Sequence, residues 1–315
     1  DELFAQAGLT FDDALGLTKA HMLARHAWDD KCTLDLFADV DQSADEIGRV
    51  CGADDARGFR SFCAEAASIY QTLEKPFLRS SKPSMLGMSA ALGPKGFSVK
   101  PFSTLWSALA KHFKDPRLIQ LFGRYSTYTG ASPFMAPATL MLIAHVEMEG
   151  VWIVDGGMAA FAQAMRTACE AKGVTIQTGT PVKNIETGGG RACAVITQEG
   201  ERCPGDSIIV NADASALGRG FFGEEARKAA KPVLPSERSL SAIGWALKAK
   251  TDGFPLAHHS VFFGENYPEE FEATFKRARF PADPTVYICA QDRTDDGHLK
   301  QDGDGERMLM VINAP

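Results

Sequence analysis

The residues with the greatest chemical potential lie between positions 121 and 158. Phe122, Tyr125, Tyr128, Phe134 and Trp152 form a dense aromatic group, with Arg124 and Thr127 among them. Each of these aromatics alone reads as helix core. Together with a guanidinium and hydroxyls they also fit the wall of an elongated apolar pocket that recognises one polar feature of its ligand. A strand-like run, Val151 to Val154, follows and turns through Gly156-Gly157 into a helix starting at Met158. Two glycines let backbone approach a bulky ligand closely, and the helix N-terminus behind them favours negative charge. The same corner also serves as a plain turn.

Other motifs carry less. Gly218, Gly220 and Gly223 spell G-x-G-x-x-G, the pattern of a dinucleotide-phosphate loop. Four residues, Asp213 to Ala216, stand near the end of the preceding strand-like run, and Arg219, Phe221 and Phe222 are bulky for a loop touching pyrophosphate. A helix end and turn is the better reading. His258-His259 sits in a strand-like run, where neighbouring side chains point to opposite faces. One imidazole is then expected in the core and the other at the surface, and no metal site is expected. Ser132, in Gly130-Ala131-Ser132-Pro133, is not a nucleophile elbow. Seven cysteines form no C-x-x-C, which argues against a disulfide framework or zinc ribbon and for bland thiols in a reducing compartment. No residue stands out as a catalytic base.

The elements that must position these groups follow from periodicity. His21 to Trp28 and Thr33 to Phe37 read as a hairpin around Asp29-Asp30-Lys31. A short helix capped by Ser43 precedes a longer amphipathic one, in which Phe59, Phe62, Ala66, Ile69, Tyr70 and Leu73 share a face. Further helices are expected from Ser103, from Asp115-Pro116 and from Pro137. Met158 to Lys172 is a helix stopped by Gly173. Strands are expected at Val174–Ile176, Pro181–Glu186, Ala192–Thr197 and Ser207–Val210, then at Arg238–Lys248, His258–Phe263, Thr285–Ala290 and Arg307–Ile312, with a helix from Tyr267 to Arg277. The fold class is α/β.

The 315 residues suffice for about two domains, 45% of them are hydrophobic and 23% charged. A formal net charge of -7 argues against nucleic acid as a partner. No apolar run is long enough to span a bilayer. Residues 76–101 are rich in Pro, Gly and Ser, yet carry Phe77, Leu78, Met85, Leu86, Met88, Leu92 and Phe97. They form either a flexible surface loop or a monotopic membrane contact. The chain opens at Asp1 rather than Met and stops at Pro315 after a strand-like run, so a fragment of a longer protein is expected.

Leu121 to Phe134, the run Ala136-Pro137-Ala138-Thr139-Leu140, the Val151 to Met158 corner, His258 to Phe263 and Pro284 to Ala290 occur in the order seen in one family. Through them the chain resembles the bacterial carotenoid desaturases, most closely the branch of hydroxy- and methoxyneurosporene dehydrogenases. The resemblance covers essentially the whole chain. It implies an amine-oxidase-type flavoprotein, in which residues 1–150 and 232–315 build an α+β substrate domain and residues 151–231 the middle of a Rossmann-like FAD-binding domain. It implies cofactor-binding roles for Gly156, Gly157, Val182, Asn211, Ala212 and Asp213, and a carotenoid substrate against Arg124, Tyr125, Tyr128, Phe134 and Trp152. Asp115 and Arg117 lie near the family's acidic and basic positions, but Pro116 and Ile119 break the local match, so no catalytic role is carried over. The activity implied is FAD-dependent desaturation of a hydroxylated or methoxylated neurosporene-type carotenoid, in a cytoplasmic protein peripheral to the inner membrane. A carotenoid isomerase, a non-catalytic carotenoid-binding fragment and an amine oxidase relative are the alternatives. The family's two terminal flavin motifs do not occur between Asp1 and Pro315. This chain alone is therefore expected to bind FAD weakly or not at all, because phosphates rely on the absent helix terminus. Flavin absorbance of the purified chain checks this, and stoichiometric yellow flavin would overturn it.

Overall fold

The computed structural model describes residues 2–29, 31–84, 87, 92–93, 99–100, 102–234, 237–300 and 303–315, with backbone only at 12–13. Met85, Leu86, Met88 and Phe97 of the 76–101 segment lie outside the described residues. The chain divides into two compact units. One comprises Leu15–Ala160 and Ser239–Pro315, the other Asp1–Ala14 and Phe161–Arg238. The divisions therefore fall at 160/161 and 238/239, and the first fourteen residues join the inserted unit.

The described strands, in chain order, are β1 (Leu17–Lys19), β2 (Met22–Ala27), β3 (Thr33–Phe37), β4 (Trp152–Val154), β5 (Val182–Gly188), β6 (Arg191–Thr197), β7 (Arg202–Pro204), β8 (Ser241–Ala249), β9 (His259–Phe262), β10 (Val286–Ala290) and β11 (Glu306–Ala314). The larger unit holds a six-stranded sheet of order β3-β2-β9-β10-β11-β8 and a two-stranded ribbon β1-β4. Its pairs are antiparallel except β2 with β9. The inserted unit holds the meander β5-β6-β7, whose first turn is Gly189-Gly190, both at positive φ.

One face of the large sheet is covered by helices. Helix α1 (Val40–Cys51) runs into α2 (Ala53–Leu73), which buries Phe59, Phe62, Ala66, Ile69 and Leu73 at the expected spacing. Against them pack α3 (Leu105–His112) and α4 (Pro116–Gly123). Phe122 is fully buried, with ring centroids 4.7 Å from Phe62, 5.2 Å from Phe113 and 5.7 Å from Phe59. The approach of α2 to α3 requires a glycine. A Cβ on Gly58 would stand 1.9 Å from the His112 carbonyl oxygen. Leu34, Leu36, Val261, Phe263 and Tyr287 carry the sheet's side of this core.

Several local expectations are corrected. Asp39, not Ser43, caps α1, accepting from Gln42 N at 2.8 Å. Ser43 is buried and instead ties back to Phe37, its hydroxyl accepting from the amide at 2.8 Å and donating to the carbonyl at 2.9 Å. Thr104, not Ser103, caps α3. Residues 174–176 and 207–210 are not strands, and the third meander strand is Arg202–Pro204. Short β-branched runs satisfy a strand propensity without a neighbour to pair with, and pairing decides. The Gly218–Gly223 motif forms the turn between two short helices, Ala214–Gly218 and Glu224–Arg227.

His26 sits in the core, its ring roughly parallel to Phe263 at 6.1 Å. Burial first, then the Arg124 charge, lowers its pKa to about 3. A depressed histidine contributes stability that is present above its unfolded value of 6.5 and is lost as pH falls toward about 3. Denaturant titrations between pH 7 and 4 are expected to show a slope approaching about 1.4 kcal/mol per pH unit from this group. His26→Phe is expected to remove that component. Phe122→Ala is expected to cost about 3–5 kcal/mol in the same measurement.

Candidate functional site

Helix α4 begins at an Asp115 cap, whose carboxylate accepts from Arg117 N at 2.9 Å, with Pro116 as its first residue. It tightens without a break into a 3-10 helix, Arg124–Thr129, which ends at Gly130 in the left-handed conformation. In such a helix residues i and i+3 eclipse, which brings Tyr125 and Tyr128 to one side. Their hydroxyls converge on the carboxylate of Glu147, Tyr125 on Oε2 and Tyr128 on Oε1 at 3.0 Å. Glu147 comes from helix α5 (Leu142–Glu149), which continues a 3-10 turn, Ala138–Met141. Burial pushes the Glu147 carboxyl up, partly opposed by the two tyrosine hydrogen bonds and Arg124. Burial likewise pushes the Tyr125 phenol well up, and the Glu147 charge adds to it. This end of the site is therefore a hydrogen-bonded acid–phenol cluster.

Arg124 joins it to the sheet. Its guanidinium carbon is 6.0 Å from the centre of the Tyr128 ring and 5.4 Å from that of Tyr287 on β10, the spacing of cation–π contacts. The Tyr287 hydroxyl meets His259 Nδ1 at 2.7 Å. Cys289, two residues along β10, pairs across the ladder with His259, so both stand on one face. Burial, with His258 and Arg124 adding to it, lowers His259 to about 4. Burial raises the Cys289 thiol. A string of polar side chains thus runs from Glu147 through Tyr128, Arg124, Tyr287 and His259 to Cys289.

Of the five residues expected at the substrate, the structure brings Arg124, Tyr125 and Tyr128 together. Phe134 is in a different aromatic cluster, 4.6 Å from Trp106 and 6.0 Å from Phe271. Trp152 stands half exposed on β4 with the Lys19 ammonium 5.6 Å from its ring centre. Glu147, Tyr287 and Cys289 escape a sequence reading because their partners are remote in the chain. The pairing of His258 with His259 is a correction. His258 lies in a bend just before β9, where strand alternation does not hold. It is buried and His259 partly so, with the rings 4.6 Å apart.

The residues expected at a cofactor lie in both units. Gly156 and Gly157, in the larger unit, have φ of 78° and 75° and are exposed between β4 and helix α6 (Met158–Ala171). A Cβ on Gly157 would meet nothing within 4 Å. Backbone bared in this way at a helix N-terminus fits a large planar or anionic group. In the inserted unit Val182 opens β5, the outer strand of its meander. Asn211 and Ala212 are exposed, and the Asp213 carboxylate caps the next helix, accepting from Ser215 N at 2.7 Å.

Residues 102–243 match the family of flavin-containing amine oxidoreductases, which implies a flavin cofactor. Over its full length the chain is 47% identical to a hydroxyneurosporene desaturase of Rubrivivax gelatinosus and 37% identical to one of Cereibacter sphaeroides, of which it covers 61% and 63%. It spans about three-fifths of the length of these relatives. Among solved structures an oxidoreductase from Methanosarcina mazei has the same fold, with a TM-score of 0.50 and 16% identity over 95% of this chain and 61% of that one.

If the acid–phenol cluster is a single unit, truncating its centre leaves two hydroxyls without an acceptor. Glu147→Leu is expected to destabilise the protein by about 1–3 kcal/mol, the cost of leaving the buried Tyr125 hydroxyl unpaired, while the exposed Tyr128 hydroxyl turns to water. Glu147→Gln, which keeps an acceptor oxygen, is expected to recover most of it. Thermal melts of the two variants check this.

Proposed function

We propose that this chain, homologous to carotenoid desaturases from end to end, carries the substrate side of an FAD-dependent desaturase of hydroxylated or methoxylated neurosporene-type carotenoids. The observation that carries the reading is the full-length 47% identity to a hydroxyneurosporene desaturase. When bound, the flavin supplies the two-electron acceptor for a hydride taken from one of two adjacent carbons, and the second carbon gives up a proton. The fit at Gly156 and Gly157 supports their contact with that cofactor, and we assign Val182, Asn211, Ala212 and Asp213 to it as well. Under this reading the larger unit is the substrate domain and the inserted unit belongs to the FAD domain.

The carbons to be desaturated carry no activating group beyond the neighbouring polyene. Alignment in a dry apolar channel is then the protein's main contribution. Phe134, with Trp106 behind it, and Trp152 supply apolar wall. Arg124 and Tyr128 read the oxygen at the substrate end, and Tyr125 with Glu147 holds Tyr128 in place. Among the described residues no helix is long and apolar enough to cross a membrane. We assign contact with the inner membrane to residues 76–101, where Phe77 and Leu78 are about two-fifths exposed.

The test incubates the full-length parent protein, purified with FAD, in liposomes with 1-hydroxyneurosporene and follows absorption and product mass. A red shift with loss of two hydrogens is expected. A changed spectrum at constant mass would make the protein an isomerase instead, and no change with flavin bound would move it to another substrate. Arg124→Leu is expected to lower kcat/KM for the hydroxylated carotenoid by about 10–100-fold, the equivalent of one hydrogen bond to a charged group. Turnover of the unhydroxylated analogue should hardly change. Polar substitution of Met85, Leu86 and Met88 is expected to abolish flotation with liposomes.

A further inference from the structure

We infer that His258, His259 and Cys289 form a binding site for a zinc-class metal ion. Each offers one donor atom, an imidazole nitrogen or the thiol sulfur, and the three atoms lie within 4.8 Å of one another. His258 Nε2 is already 3.7 Å from Cys289 Sγ. Zinc–nitrogen and zinc–sulfur bonds of about 2.0 and 2.3 Å at tetrahedral angles put ligand atoms roughly 3.3–3.6 Å apart. Side-chain adjustments of up to about 1.5 Å therefore close the site.

The ring orientations support this. His258 Nδ1 is 2.8 Å from the Arg293 carbonyl oxygen, which accepts a hydrogen bond and so fixes the tautomer. Nε2 then carries its lone pair toward the thiol. A backbone carbonyl on the far nitrogen is the usual support of a metal-bound imidazole. The Tyr287 hydroxyl holds the His259 ring from its Nδ1 side. His258 is buried, and His259 and Cys289 are partly so. Two neutral imidazoles and a thiol suit a borderline-soft ion better than calcium or magnesium, which take oxygen ligands. On binding, the sulfur–hydrogen bond of Cys289 is replaced by a sulfur–metal bond and the proton leaves to buffer. Three protein ligands leave one tetrahedral position open, to water or another small donor.

Cobalt(II) is the probe, titrated into the purified chain under reducing, metal-free conditions. One equivalent is expected to bind with a thiolate-to-cobalt band in the near ultraviolet, and zinc should displace it. Cys289→Ser, nearly isosteric, should abolish the band and weaken binding by about 100-fold or more, since even outer hydrogen-bond partners are worth roughly 10–100-fold. His258→Ala should weaken binding comparably, and circular dichroism of both variants separates ligand loss from misfolding. Absence of the band in the unmodified chain would overturn the site. So would a band that survives Cys289→Ser, which would place the metal on another of the cysteines. If His258→Ala fails to fold, the Cys289→Ser result alone decides.

Discussion

A partly buried guanidinium acts on every titratable group within its reach, and Arg124 plays that part in the larger unit. It stands where α4 tightens into a 3-10 turn, between the rings of Tyr128 and Tyr287. Its charge helps lower His26 and His259, and it opposes the burial that drives up Glu147 and Glu270. Burial is the leading cause of each of these shifts, and the Arg124 charge adds to it at the imidazoles and works against it at the carboxyls. The aromatic faces hold the cation without adding a second charge.

The sheet meets a similar requirement with hydrogen bonds. Glu270 is almost fully buried, yet its carboxyl accepts from the Thr285 amide and hydroxyl at 3.1 and 2.7 Å and from the Asn313 side chain at 2.7 Å. Arg293 and Glu306 form a bidentate pair, with Thr251 bonded to both. These groups join β10, β11 and their flanking loops, so the polar interior also fixes the geometry in which Tyr287 and Cys289 are presented.

Much of this architecture was legible in the residues, and the failures share a physical cause. The amphipathic spacing from Phe59 to Leu73, the Asp115-Pro116 helix start and the glycine turn of the meander are local signals, and the structure has them. The caps fall at Asp39 and Thr104, four residues and one residue from the expected serines, because several capable side chains compete and only packing selects one. Residues 174–176 and 207–210 had strand composition but no partner. Of the candidate site, Arg124, Tyr125 and Tyr128 were readable because one helical segment carries them. Glu147 is 22 residues from Tyr125 and Tyr287 is far beyond it, so their convergence depends on tertiary closure. His258 stands one residue before β9, so the alternation of strand side chains does not govern it.

The parallel pairing of β2 with β9 bears on biosynthesis. Ala27 and Phe262 face each other across that ladder, a separation of 235 residues. At about 5–20 residues per second the ribosome needs roughly 12–47 s to deliver the second partner after the first. During that interval the β2-β3 hairpin presents an unpaired edge, and the rest of the inserted unit, Phe161–Arg238, is made. An open edge of this kind invites pairing with the wrong chain. Yield in a heterologous host should thus depend on chaperone supply and translation speed more than on the final stability of the folded protein.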